Sequence, residues 1–187
     1  MGVMLVEPGM LLVSTPALQD PNFVDTVILL LDVNDEGVLG VILNRPSPVL
    51  VADVLDQWGG VVDEPEVLFR GGPVGLDGAL AVGRVHDPDQ APLGWREVAG
   101  RLGIVDLDVP PELLSGSLSQ LRVFAGYAGW GAQQLQDELA EESWYVVASE
   151  EEDVFGAHPT GLWREVLRRQ PGMLAWHSTR PLDPELN

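Results

Sequence analysis

Cysteine and lysine are both missing from this sequence. Without cysteine there is no disulfide, no thiolate nucleophile and no zinc–thiolate site. Without lysine, Schiff-base catalysis and the lysine of a phosphate-binding P-loop are excluded as well. Positive charge of any kind is scarce: ten arginines stand against 29 Asp and Glu, for a formal charge of -19. That charge repels a phosphate backbone and disfavours nucleic acid as a partner, because nonspecific affinity comes from neutralising phosphates. A DNA contact would have to use the local cluster Arg164, Arg168 and Arg169, which sits beside Glu165. Long apolar runs are absent too; Val27–Leu31 falls far short of the ~20 residues a membrane helix needs. The opening MGVMLVEPGMLLV lacks a basic region and is broken by Glu7 and Pro8, so it does not read as a signal peptide. No membrane partner and a cytoplasmic location are the expectations.

What is present suits one α/β domain spanning residues 1–187, with 45% apolar residues and no internal repeat or linker. The stretch Arg122–Leu139, RVFAGYAGWGAQQLQDEL, organises the reading. Val123–Ala125 suit a buried strand, Gly126, Gly129 and Gly131 suggest a tight turn, and Leu135 and Leu139 recur at helical spacing. Strand, turn and helix would leave free amides where an anion can bind, or would simply pack closely. The order G-x-x-G-x-G does not match a dinucleotide fingerprint, so no nucleotide cofactor is expected.

Earlier in the chain, Met10–Val13 reads as a first strand, and Val27–Leu31 and Val38–Leu43 form a hairpin with Gly37 at positive φ. Their unbroken hydrophobicity predicts burial on both faces. Asp32, Asn34 and Glu36 in the connection resemble half of a calcium loop, but Leu43 stands where the bidentate acid belongs. Pro46 is expected to stop the ladder. Val51, Val54, Leu55 and Trp58 then mark an amphipathic helix ending at Gly59-Gly60. Strands follow at Val67–Phe69, Ala79–Val82, Gly103–Leu107 and Trp144–Ala148, with a loop over His86–Gly94. Ser149 with Glu152 has the capping-box pattern, and Thr160 is placed to cap a helix through Leu162–Leu167. A hairpin near the start of interleaved strands and helices points to a mixed sheet rather than pure parallel crossovers.

Candidate chemistry is thin. His86, His158 and His177 show no metal-ligand spacing. No G-x-S-x-G surrounds a serine, and acid pairs are too common in this composition to signal a glycosidase. Arg70 before Gly71-Gly72-Pro73, and Arg45 before Pro46, have the form of carboxylate or phosphate clamps, or of ordinary ion pairs. The acidic run Asp137–Glu142 and Glu150–Asp153 suits either a basic partner or solvated surface.

Four segments together resemble the YqgE/AlgH family: Gly9–Leu12 with Pro16, Asp20, Pro21 and Phe23; Gly40–Pro46; Gly71–Val74; and Gly126–Gly131 with Gln134, Leu135, Glu138 and Leu139. The likeness runs in order through nearly the whole chain. It implies a bacterial α/β protein whose sheet forms an incomplete barrel flanked by helices, with no settled activity, cofactor or catalytic residue. One member lent the family the label of a regulator of alginate synthesis or transcription. The chain departs from the pattern in lacking a histidine after Ala79–Gly83 and in carrying Gln133 before Gln134-Leu135.

The expected function is therefore non-enzymatic and regulatory, through a protein or ligand contact. Its surface would use Asn44, Arg45, Arg70, Gly71, Gly72, Gly126, Tyr127, Gly129 and Trp130, with no catalytic residue, metal or cofactor. The alternative is a binder of, or enzyme acting on, a small anionic ligand, which requires Arg45 and Arg70 to share one pocket. Direct DNA binding is the third reading.

Overall fold

A computed structural model of the protein describes residues 5–172; Trp176 and His177 lie outside that range. The strands are β1 Leu11–Ser14, β2 Val27–Asn34, β3 Gly37–Ile42, β4 Pro46–Leu50, β5 Val67–Arg70, β6 Val74–Val85, β7 Trp95–Ala99, β8 Leu102–Val105, β9 Leu118–Gly131 and β10 Trp144–Val147. The helices are α1 Val51–Val54, α2 Ala132–Ala140, α3 Glu151–Phe155 and α4 Leu162–Arg168. The sheet runs β10-β1-β2-β3-β9-β6-β8-β7, with β4 joined through β5 to β9. Only the β5–β9 pairing is parallel among these strands. The mixed sheet curls into a half-barrel flanked by helices, the fold class expected.

The unbroken hydrophobicity of the early strands has the predicted cause. Successive side chains point to opposite faces. Leu11, Val13, Leu29, Leu31, Val41 and Leu43 pack on one face with Val154, Phe155, Leu162, Trp163, Val166 and Leu167 of α3 and α4. Leu12, Ile28, Leu30 and Ile42 pack on the other with Trp130, Leu135, Leu139 and Trp144. A third cluster joins Leu121 and Val123 of β9 to Val51, Trp58 and Val62. Trp58, Trp130, Trp144 and Trp163 are all buried, so none of these four marks an exposed interface.

Several expectations need correction. The glycine-rich stretch after Ala125 is no turn: β9 continues to Gly131 and α2 begins at Ala132. Its glycines serve close strand approach. Gly126 has φ +75, and a Cβ there would sit 2.5 Å from the Gly72 carbonyl oxygen. A Cβ on Gly71 would overlap the Gly126 carbonyl oxygen, and one on Gly72 would overlap the Tyr127 carbonyl. The β2–β3 ladder ends before Pro46, as expected, but Pro46 also opens β4, a position open to proline at the start of an edge strand. The helix expected over Val51–Trp58 is one α turn followed by a 3-10 turn. β7 was not foreseen at all. The Asp32–Gly37 connection is a hairpin turn, with the Asn34 side chain accepting the Glu36 amide at 2.8 Å. Asp153 accepts the Glu150 amide at 2.7 Å, so α3 is capped one residue later than expected, and Gly161 rather than Thr160 precedes α4.

Arg122 of β9 is 1% exposed. Its guanidinium lies 4.4 Å from the Phe69 ring centre and donates to the carbonyls of Val154 (2.8 Å), Gly156 (3.2 Å) and Glu64 (2.7 Å). Burial pushes it down to about 10, still protonated at neutral pH. One strand residue thereby ties the end of α3 and the loop before β5 to the sheet. Asp63 faces the same charge. Burial raises its pKa, with Arg122 and a backbone hydrogen bond from Leu121 opposing that shift.

Three outcomes are expected. Gly72→Ala should lower the stability measured by denaturant unfolding by about 3 kcal/mol, the upper part of the overpacking range, because backbone must move. Gly60→Ala, where a Cβ meets nothing within 4 Å, should stay within about 0.5 kcal/mol. Because the folded pKa of Asp63 is raised, its contribution is fullest below the unfolded value and is lost as pH rises through the folded one. Asp63→Asn should accordingly gain melting temperature over wild type at pH 7 and lose that advantage towards pH 4; an advantage that grows on acidification contradicts the assignment.

Candidate functional site

The close approach of Gly71 and Gly72 to β9 fixes where two arginines emerge. The Arg70 amide donates to the Arg45 carbonyl at 2.8 Å, the Ile42 amide to Gly71 at 2.8 Å, and the Gly71 amide to Ala125 at 2.9 Å. These bonds join the end of β3, the start of β4, the end of β5 and the middle of β9. Arg45 and Arg70 consequently line one cleft of about 190 Å³, with Asn22, Ile42, Gly72, Pro73 and Leu76. The two guanidiniums do not lie on opposite faces.

The two arginines have different duties. A guanidinium carries five N–H donors. Arg45 spends three of them on the segment before β2, donating to the carbonyls of Asn22 (2.6 Å), Pro21 (3.2 Å) and Val24 (3.1 Å). Burial, then the repulsion of Arg70, lowers its pKa, while Asp20 and Asp25 act the other way. Arg70 is exposed, and its side chain makes no hydrogen bond or ion pair to a described residue. Its whole fork faces solvent and cleft.

The segment that Arg45 holds also carries Phe23. That ring packs 6.1 Å from Trp130 and 5.7 Å, edge-on, from Trp144. Both indoles donate to one oxygen of Glu138, at 3.3 and 3.1 Å. Trp130 is thus buried framework behind the cleft.

Of the nine residues the sequence pointed to, Arg45, Arg70 and Gly72 line the cleft. Asn44 sits beside it, accepting the Val27 amide at 3.0 Å and donating to the Asp25 carbonyl at 2.9 Å. Gly71 and Gly126 are buried in the strand junction. Tyr127 pairs with Val74, its ring beneath Gly75, and Gly129 lies exposed further along β9. The helix amides expected after Gly129 as an anion site are displaced to Ala132 and beyond; the Gly131 amide is met by the Gln134 side chain at 3.2 Å. Asn22, Ile42, Pro73 and Leu76 were not picked as site residues. Ile42 and Pro73 lie within family-like segments, whereas Leu76 carries no sequence signal.

Other candidates fare differently. Arg169 grips Asp153 through two contacts, 2.7 and 2.5 Å, and reaches Glu150 at 3.3 Å, so its charge is spent within the fold. His86 and His158 are exposed and separate. Among the described residues no three His, Cys, Asp or Glu side chains gather as a metal site, and no helix is long and apolar enough to cross a membrane.

Comparison with known proteins gives a family match, relatives in sequence and solved structures of the same fold. Residues 11–175 match the family described as AlgH-like. A UPF0301 protein of Streptomyces coelicolor is 58% identical over 182 residues, covering 96% of this chain and 94% of its own length. One from Mycobacterium tuberculosis is 44% identical, with 97% and 91% coverage. The crystal structure of a Corynebacterium diphtheriae protein superposes with a TM-score of 0.90 at 32% identity, over 96% of this chain and 95% of that one. The solution structure of the AlgH protein from Pseudomonas aeruginosa gives 0.68 at 26% identity, over 94% of each.

Arg45→Ala removes three charged hydrogen bonds from a partly exposed position, which should cost about 1–2 kcal/mol. It should also speed amide exchange over residues 20–26 and shift tryptophan emission as Phe23 loosens. Unchanged exchange in that segment would show that Arg45 does not hold it.

Proposed function

The chain belongs to the AlgH-like family, and on that footing we propose that it is a non-enzymatic binding protein that recognises a small anionic compound between Arg45 and Arg70 and acts in regulation through that contact. The family name brings no activity with it, so the reading rests on the cleft. Its carrying observation is the pair of guanidiniums on one small cavity, close enough for Arg70 to add to the burial that lowers the Arg45 pKa, in a chain with almost three acids for each arginine. Two cations left facing each other are stabilised by an anion between them.

The chemistry of the lining supports binding over turnover. Asn22, Ile42, Arg45, Arg70, Gly72, Pro73 and Leu76 include no nucleophile and no general acid or base. Arg70 supplies the bidentate fork that suits a carboxylate or phosphate, and Arg45 supplies charge with its two remaining donors. The net charge of -19 opposes approach from a distance. At physiological ionic strength, however, screening acts over about 8 Å, so the adjacent guanidiniums dominate inside the cleft.

Isothermal titration with acetate and with inorganic phosphate tests this reading. Saturable binding should weaken at least about tenfold, roughly 1.4 kcal/mol, in Arg70→Ala and also in Arg70→Lys, which keeps the charge but loses the fork. The thermal midpoint of both variants should match wild type, since Arg70 makes no side-chain bond to described residues. Binding that survives Arg70→Ala would place the anion elsewhere and refute the proposal.

A further inference from the structure

The cleft combines charge with apolar surface. Exposed Pro73 and Leu76 line it together with Arg45 and Arg70, while Ile42, 1% exposed, offers almost no surface of its own. Leu76 is 52% exposed, because β6 bulges outward between Val74, paired with Tyr127, and Ala79, paired with Ala125. Gly75, at φ +62, turns the chain so that the leucine reaches the cleft rim. An inorganic anion would leave this apolar surface unused.

Size narrows the ligand further. At about 190 Å³ the cleft lies below the roughly 300 Å³ at which pockets begin to take drug-sized ligands, which favours a small one. A carboxylate is a smaller head than a phosphate and leaves more of the cleft for a short chain.

We propose that the ligand is a free short-chain carboxylic acid of about four or five carbons, its carboxylate on the Arg70 fork beside Arg45 and its aliphatic body against Pro73 and Leu76. This rests on the anion-binding reading above and adds the chemical class. The head then meets Arg70 and Arg45 with Asn22 nearby, and the chain meets Pro73 and Leu76.

The test is a calorimetric titration series of acetate, propionate, butyrate, valerate, hexanoate and octanoate, with phosphate and N-acetyl-leucine alongside. Methyl shifts of Ile42 and Leu76 are followed by NMR in the same samples. Each methylene removed from water should tighten Kd about fourfold up to butyrate or valerate, and the gain should then stop. Leu76→Ser should flatten the series, with wild-type melting temperature as the control for folding. A flat series, with acetate and phosphate bound equally through Arg70, overturns the carboxylic-acid assignment while leaving anion binding intact. Affinity that keeps rising through octanoate points to an apolar surface outside the cleft and overturns it too. N-acetyl-leucine binding tighter than valerate would assign the site to a peptide terminus and reject the free acid. Loss of all anion binding, or a series unchanged in Arg70→Ala, removes both proposals together.

Discussion

The contact of Gly71 and Gly72 with the backbone of β9 is the constraint on which the architecture depends. β9 meets β6 along one edge, and along the other it meets first β5 and then β3. That exchange of partners requires the chain leaving β5 to cross β9 at backbone distance, where a Cβ on Gly71 or Gly72 would overlap carbonyl groups of β9. Gly126 answers from the other side with a backbone conformation that side chains resist. Because the crossing is made of hydrogen-bonded backbone, it also fixes the positions of the residues on either side. Arg70 precedes it, Pro73 follows it, and Arg45 is bonded directly to it.

The distribution of arginine gives that placement its meaning. Four arginines converge on the short helix α3. Arg122 donates to the Val154 and Gly156 carbonyls, Arg84 to the Glu151 carbonyl at 3.0 Å, Arg169 to Asp153, and Arg101 reaches Glu151 at 3.4 Å. Carbonyls near the C-terminal end of a helix suit cations, and the guanidinium can meet several in one plane. Arg122 and Arg84 are buried, each over a phenyl ring, and so act as framework. Arg45 works mainly as a clamp. Arg70 alone combines a cleft position with a full set of donors left unbonded among the described residues, which is why recognition is assigned to it.

Local pattern was enough for some elements and misleading for others. The β2–β3 hairpin was legible because two branched runs flank a polar turn ending in glycine, and α2 because Leu135 and Leu139 share a helical face. The Gly126–Gly131 stretch was misread because glycine signals a turn and a close strand approach equally well. Only the partners β5, β6 and β3, remote in sequence, distinguish the two. Pro46 likewise reads as a breaker until β5 is known to pair beside it. Arg45 and Arg70 stood out as arginines next to glycine or proline, yet their meeting depends on one backbone bond between distant segments. The apolar part of the cleft lining was invisible because Leu76 reaches it through a bulge that exists only in the β6–β9 register.

The most direct measurement of the central claim, that the glycine crossing presents two arginines to one anion, is anomalous diffraction from crystals soaked in selenate. The account predicts a selenium peak in the cleft within hydrogen-bonding distance of the Arg70 guanidinium and beside Arg45, absent from Arg70→Ala crystals. Selenate bound elsewhere on the surface, with the cleft empty at the same concentration, would contradict it.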